Sequence, residues 1–207
     1  RVPKKAFVNN QQFFQYNVEE DDVYEILEAC KPSIIISALR GDFNAQTIAH
    51  QHIAEYAIAF GSKIIFLSSA NTFDAYSKYP SYELDKTLSH SIYGHFKIRI
   101  EQLILKLPQK KHAIIRLPMV FGAQSPRNNE IKTLIKLNEP IELFPNLIIN
   151  VNSGKKVSQQ LHYIINRNKH GTYHLGSTDL VCHDDFIKEL VNKLGDNKSR
   201  YKLVYTT

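Results

Sequence analysis

Three short stretches constrain this chain more than anything else in it: Ser33-Ile-Ile-Ile-Ser37, Lys63-Ile-Ile-Phe-Leu67 and Ala113-Ile-Ile-Arg-Leu117. Their apolar residues are consecutive rather than alternating, so strands made of them bury side chains on both faces. Between them lie segments with helical spacing. Glu19 to Lys31 has acidic residues in its first turn and Val23, Ile26 and Leu27 on one face, and Pro32 stops it. Asn44 to Phe60 spaces Ile48, His52, Ile53, Tyr56 and Phe60 as a helix would, with Gly61 where a C-cap belongs. Ser91 to Leu107 carries Ile92, Phe96, Ile100, Leu103 and Leu107 in a stripe, and Pro108 ends it. Strands apolar on both faces, alternating with amphipathic helices, predict an α/β fold with a parallel sheet covered on both sides. Right-handed crossovers make that sheet doubly wound.

After Gly122 the pattern loosens. Short strands (140–144, 147–151 and 172–175) alternate with helices (129–137, 157–166 and 184–194), as in a smaller, substrate-side region. The expected division is therefore 1–122 and 123–207. The opening Arg-Val-Pro-Lys-Lys does not read as a strand, and Tyr205-Thr206-Thr207 shows no clear terminal element, so the chain reads as a fragment.

With 43% apolar and 11% aromatic residues, the chain can build a proper core, which excludes wholesale disorder. No apolar run approaches the ~20 residues that span a bilayer, and no signal segment opens the chain. The net charge of +6 is spread out, with only pairs at Lys4-Lys5, Lys110-Lys111 and Lys155-Lys156. That argues against nucleic acid, while a modest positive field suits an anionic cofactor or a diphosphate. Cys30 and Cys182 share no metal or redox spacing and are expected as buried thiols in a reducing cytoplasm. His50 and His52, at i and i+2, face different sides of a helix, so no metal site is expected.

A Tyr-x-x-x-Lys pair puts two side chains on one helix face, one turn apart. The ammonium lowers the phenol pKa, so the tyrosine can exchange a proton with a carbonyl or alcohol. With 11 Tyr and 19 Lys, chance alone supplies about one such pair; there are two, Tyr82/Lys86 and Tyr93/Lys97. Tyr82 falls in a polar stretch, 71–89, expected as a long loop. Tyr93 falls in the first turn of the third helix, downstream of Ser68 and Ser69 at the end of the second strand. Ligands bind at that edge of open α/β sheets, where a strand-end hydroxyl and the Tyr/Lys pair can meet on one oxygen. The competing reading is structural: Ser69 caps a turn, Tyr93 is half-buried and Lys97 is solvated. His95 is expected on the surface, and His112 and His174 as satisfied structural residues.

Phe66-Leu67-Ser68-Ser69, Tyr93-Gly94-His95-Phe96-Lys97, Arg116-Leu-Pro-Met-Val-Phe-Gly122 and Lys31-Pro-Ser-Ile-Ile-Ile-Ser-Ala38 together resemble the extended short-chain dehydrogenase/reductase family. Tyr82-x-x-Asp85 before Tyr93-Gly94 is similar to that family's Tyr-x-Glu-x-Asp stretch. The resemblance covers roughly residues 17 to 195. Phe73-Asp74 and Gly171-Thr-Tyr-His-Leu-Gly176 are closest to the dTDP-4-dehydrorhamnose reductases, although Ala70 stands where those carry Asp.

The resemblance implies a Rossmann-like cofactor domain at 1–122 and a substrate region at 123–207. The family's Gly-x-x-Gly-x-x-Gly turn is not in this sequence, so the first β-α unit, about 30 residues, is expected to be missing. The implied activity is nicotinamide-dependent reduction of a keto group on a nucleotide-activated sugar. Tyr93 gives the proton, Ser69 hydrogen-bonds the carbonyl oxygen, and Lys97 binds the nicotinamide ribose and keeps the Tyr93 pKa low. NADP or NAD is expected against Ser37, Ala38, Leu39, Tyr93, Lys97 and Pro118. The nucleotide-sugar substrate is expected against Ala70, Asn71, Met119 and Arg127, the last in a loop. The resemblance also implies a cytoplasmic enzyme, without nucleic-acid or membrane partners, and allows for a homodimer. An NAD-dependent 4-epimerase, or a non-catalytic sugar-nucleotide or protein-binding module of the same fold, are the alternatives.

Overall fold

The computed structural model describes residues 10–76, 80–123, 125–196 and 198–205. The opening segment with its Lys4-Lys5 pair, and residues 206–207, lie outside the described residues. The first half of the chain runs α1 (Val23–Cys30), β1 (Ile34–Ser37), α2 (Phe43–Phe60), β2 (Lys63–Ser69), α3 (Ile92–Ile104) and β3 (His112–Leu117). The second half runs β4 (Met119–Phe121), α4 (Pro126–Leu137), β5 (Ile141–Leu143), β6 (Ile148–Ser153), α5 (Gly154–Asn166), β7 (Gly171–His174), β8 (Leu180–Cys182), α6 (His183–Lys193) and β9 (Tyr201–Leu203).

The three apolar stretches lie side by side, and β7 completes a sheet of order β1-β2-β3-β7 in which every pairing is parallel. On one face, Ile64, Phe66 and Ile114 pack against Leu27 of α1, Ile53 and Tyr56 of α2 and Ile100 of α3. On the other, Ile65 and Ile115 pack against Val157, Leu161 and Ile164 of α5. The sheet is thus covered on both sides, as the sequence predicts. β1 is the partial exception: Ile34 and Ile36 are 36% and 47% exposed, because α5 packs against residues of β2 and β3 and leaves the edge strand uncovered.

The helices differ from expectation at their ends and on one face. α1 starts at Val23 rather than Glu19. Asp22 caps it, accepting from the Tyr24 N–H, while Glu20 and Asp21 are used in a turn on the Asn17 carbonyl. The buried face of α2 is Ala49, His50, Ile53, Ala54, Tyr56 and Ala57; Ile48 and Phe60 point outward. The alanines let this helix approach the sheet closely, which its larger apolar residues could not. Ile92 of α3 is likewise exposed, and Ile104 takes its place in the core.

The chain crosses the expected division at 122 and comes back. β4 pairs with β6, β6 with β8, and β5 with β9, around a third core of Ile131, Leu143, Ile187 and Val191. However, α5 and β7 return to the main sheet. Lys63 at the foot of β2 holds the turn between them, donating to Asn168 Oδ1 at 2.9 Å and the Lys169 carbonyl at 2.6 Å. β9 supplies a terminal element that the sequence does not announce, since all three of its residues are exposed. Cys30 is exposed and Cys182 half-buried, both free, which corrects the expectation of two buried thiols: Cys30 lies at the end of α1, past its single buried residue, Leu27. Among the described residues no helix is long and apolar enough to cross a membrane.

Candidate active site

β2 outruns β1 by reaching Ser69, which pairs with Leu117 of β3. The stretch 71–89, expected as a loop throughout, starts with a 3₁₀ turn at Ala70–Phe73. Ser69 caps that turn: its Oγ accepts from the Asn71 N–H at 3.2 Å and donates to Asn71 Oδ1 at 2.9 Å. The chain then leads to α3, whose start is tied back to the strand end. Asp74 accepts from the His90 N–H at 2.6 Å and from Ser91 Oγ at 2.5 Å, and Ser91 in turn caps α3. Burial pushes the Asp74 carboxyl up, but the hydrogen bonds from Ser91, His90 and Ser89 outweigh it and hold the group below its usual range. Gly94 closes the joint. A Cβ there would run into the Ser89 side chain and the Asn71 carbonyl, so only glycine lets the first turn of α3 sit this close to the 3₁₀ turn.

This contact brings Tyr93 to Ser69. The phenol is 40% exposed at the C-terminal edge of the sheet. Its partial burial raises its pKa from the usual phenol value, opposed by its interaction with the Ser69 hydroxyl and by the charge of Arg40. Lys97 is 7% exposed, with Nζ donating to the Leu67 carbonyl at 3.0 Å and lying 4.7 Å from the Phe66 ring centroid and 5.6 Å from that of Tyr93. Burial drives its pKa down to about 8, with Glu101 opposing the fall and Arg40 adding to it.

These contacts bear on two expectations. Lys97 is buried rather than solvated, while Ser69 does cap a turn and Tyr93 is half-buried. Nor does Lys97 hold the Tyr93 pKa low. Its ammonium donates to a strand carbonyl and lies 5.6 Å from the centre of the Tyr93 ring, and burial of the phenol outweighs the groups around it. The other Tyr/Lys pair is not on a helix: Tyr82 sits in a turn closed by its N–H to Asp85 Oδ2 at 2.7 Å, and its ring is 64% exposed.

Behind Lys97 lies a buried ionic group that sequence reading misses. Glu101, one turn further along α3, accepts from Arg116 Nη2 at 2.8 Å and Nε at 3.1 Å, and from Ser68 Oγ at 2.5 Å. Arg116 also donates to the Glu83 carbonyl at 3.1 Å and to His174 Nε2 at 3.3 Å, and stacks over Phe73 at 4.7 Å. Glu83 Oε1 in turn accepts from the His174 N–H at 3.1 Å, which pins the loop before Tyr93 onto β3 and β7. The spacing of Tyr93, Lys97 and Glu101, four residues apart each time, is the signal that could have revealed Glu101.

The remaining expected site residues fall into two groups. Ser37, Ala38 and Leu39 lie at the end of β1 and Pro118 and Met119 just after β3, all at the same sheet edge as Ser69. Ala70 and Asn71 form the 3₁₀ turn. The Ser37 hydroxyl, however, is buried and spent on His50 Nε2 at 2.8 Å, so what Ser37 offers at the edge is backbone. Arg127 is not in a loop. Ser125 caps α4 and Pro126 starts it, which puts Arg127 in its first turn, 3.4 Å from Glu130. Its charge bears on His183 in the second lobe, whereas the arginine whose charge bears on Tyr93 and Lys97 is Arg40. His95 is exposed, as expected; His174 is hydrogen-bonded; His112 is buried with no partner for Nδ1 among the described residues. No group of three or more His, Cys, Asp or Glu side chains is arranged to hold a metal among the described residues.

Comparison with known proteins bears on the fold and the family. A dTDP-4-dehydrorhamnose reductase of Aggregatibacter actinomycetemcomitans is 29% identical over 130 residues, or 57% of this chain and 43% of that enzyme; the match thus spans less than half of the curated relative's length. Two solved structures from Bacillus anthracis share the fold. A dTDP-4-dehydrorhamnose reductase in complex with NADP has a TM-score of 0.70 at 19% identity, covering 92% of this chain and 70% of that one. A dTDP-glucose 4,6-dehydratase in complex with NAD has a TM-score of 0.78 at 12% identity, covering 98% and 71%. The RmlD substrate binding domain family matches residues 20–207, a span that takes in both lobes and every residue of the site, and the chain belongs to that family.

Proposed function

We propose that this chain carries the catalytic groups of a nicotinamide-dependent reductase acting on a keto group of a nucleotide-activated sugar, in the manner of the dTDP-4-dehydrorhamnose reductases. The observation that carries this reading is the convergence of Ser69, Tyr93 and Lys97 at one edge of the sheet, built from a strand end and a glycine-tightened helix start. The residues fit the nicotinamide-ribose end of NADP or NAD. Among the described residues Lys97 donates to the Leu67 carbonyl, which leaves donors for ribose hydroxyls, while the backbone at Ser37, Ala38 and Leu39 and at Pro118 borders the same edge. When bound, the nicotinamide supplies the hydride.

The chain's own part is proton and charge management. Tyr93 gives its phenolic proton to the oxygen that was the carbonyl. Ser69 swings its proton from Asn71 Oδ1 to that oxygen as negative charge develops there. Lys97, with its ammonium on the Leu67 carbonyl, contributes by holding the nicotinamide ribose rather than by charging the phenol. Ala70, Asn71 and Met119 border the place where the sugar must lie. Arg127, at the start of α4, is the candidate for a more distant contact with the nucleotide. The reading places the enzyme in the cytoplasm, where nucleotide sugars and dinucleotides are found, and is compatible with a homodimer.

The test is Tyr93→Phe, assayed as NADPH oxidation with dTDP-4-dehydrorhamnose. Loss of the general acid should cut turnover by roughly 10²–10⁴, with the thermal midpoint unchanged. Turnover that survives in Tyr93→Phe but is lost in Tyr82→Phe would assign the chemistry to the other pair.

A further inference from the structure

Arg40 follows β1 in the turn that leads to α2, and this turn is fixed at several points. A Cβ on Gly41, whose φ is +132°, would come within 2.6 Å of Val18. The Asp42 N–H donates to Glu19 Oε1 at 3.1 Å, and Gln46 Nε2 donates to the Gly41 carbonyl at 2.8 Å. Phe43 then stacks on Phe96 with centroids 4.6 Å apart and reaches the Tyr93 ring at 6.2 Å. Residues 40–43 are thus held against the first turns of α3, beside the catalytic pair.

On this fixed backbone Arg40 is exposed, and among the described residues it makes no hydrogen bond or ion pair. The nearby carboxylates are already committed: Glu101 to Arg116 and Ser68, Asp74 to Ser91 and His90, Asp42 to the cap of α2. Two cations, Arg40 and Lys97, therefore lie at one site, where Glu101 answers Lys97 but is shared with Arg116 and Ser68, and Lys97 feels the charge of Arg40. A guanidinium presents a planar fork of donors matched to phosphate oxygens, and an anion placed here relieves the repulsion between the two cations.

We propose that Arg40 is a diphosphate-binding residue of this site, gripping the diphosphate of a ligand whose reacting end meets Ser69 and Tyr93. The proposal deepens the reductase reading and rests on it for the ligand class. A diphosphate is common to both ligands that reading requires, the dinucleotide cofactor and the nucleoside diphosphate sugar, and the experiment separates them. Calorimetric titrations of the full chain with inorganic pyrophosphate, NADPH and dTDP are compared for wild type, Arg40→Ala and Arg40→Lys. Arg40→Ala should weaken pyrophosphate by about 10- to 100-fold, the value of one or two charge-assisted hydrogen bonds, with Arg40→Lys in between. The same loss with NADPH alone makes the cofactor the source; with dTDP alone, the sugar nucleotide. Equal affinities for all three probes in wild type and Arg40→Ala, or no binding of any probe by wild type, would overturn the proposal. Arg40-dependent pyrophosphate binding without any reductase turnover would sink the reductase reading and leave the diphosphate contact standing.

Discussion

The perturbation that tests the site most sharply is made behind it, at Glu101. Glu101→Gln removes a charge that is 2% exposed and leaves its partner, Arg116, 5% exposed and facing a neutral amide. Breaking a buried ion pair by removing one member costs about 3–5 kcal/mol. Arg116 keeps two other acceptors, the Glu83 carbonyl and His174 Nε2, and the face of Phe73, so the lower end of that range is expected. About 3 kcal/mol is still roughly a fifth to three fifths of the stability of a typical domain. A second readout separates this from a generic packing defect. Glu101 is the charge that holds the Lys97 pKa up against burial at about 8, so its loss lowers that value further. The alkaline limb of kcat/KM, where Lys97 loses its proton, should then move to lower pH. Urea unfolding gives the first quantity and a pH–rate profile the second. A loss under 1 kcal/mol together with an unmoved alkaline limb would show that the ionic group neither stabilises the fold nor supports Lys97. Replacing the pair together, Glu101→Leu with Arg116→Met, should restore most of the stability but not the pH profile.

Gly94→Ala should cost about 1–3 kcal/mol by overpacking, and should lower turnover more than stability, because the new methyl group pushes Tyr93 away from Ser69; thermal melts alongside activity check both. His50 is buried and neutral, its pKa lowered by burial to about 4. Below the unfolded value of 6.5 the unfolded chain takes up a proton that the folded one refuses, so stability should fall between pH 6.5 and 4, by about 3 kcal/mol in total. Denaturant titrations across that range should show the slope, and a His50→Gln variant should flatten it. Lys63→Met removes the hydrogen bonds that tie β2 to the turn between α5 and β7, and hydrogen exchange in residues 167–170 should rise while α3 stays protected.

The core of the fold was legible because it rests on short-range pattern. Ile64-Ile65-Phe66 and Ile114-Ile115 are buried on both faces wherever they are put, and Pro32 and Gly61 mark ends that any helix would respect. The cluster of Ser69, Tyr93 and Lys97 was legible for a related reason: a strand end, a helix start and a one-turn spacing are local features. What could not be read depends on partners far away in sequence. Ser37 looks like a hydroxyl offered to a ligand until the structure sets His50 against it. Glu83 and His174, 91 residues apart, give no sign of each other. β9 has no alternation to mark it and exists because β5 offers an edge. Arg40 carries no motif; only its position against Phe43 and Tyr93 sets it apart from any other surface arginine. The charge argument for Tyr93 also failed on geometry, since an i,i+4 lysine can point its ammonium at a strand carbonyl instead of a phenol.

The return of β7 to the sheet has a consequence for how the protein assembles. Ala113 pairs with Gly171, and everything from β4 to α5 is strung between those partners. Strands β1, β2 and β3 can associate early through the short crossovers α2 and α3. The β3–β7 pairing must wait for a long loop to close, and it bears the entropy of that closure before it gains any hydrogen bonds. Until then one side of β3, with the fully buried Ile114 and Ile115 along it, lies open to other chains in the cell. The second half of the chain, which supplies β7, is therefore the half that seals the sheet, and the period before it docks is the time when the chain is most exposed to aggregation.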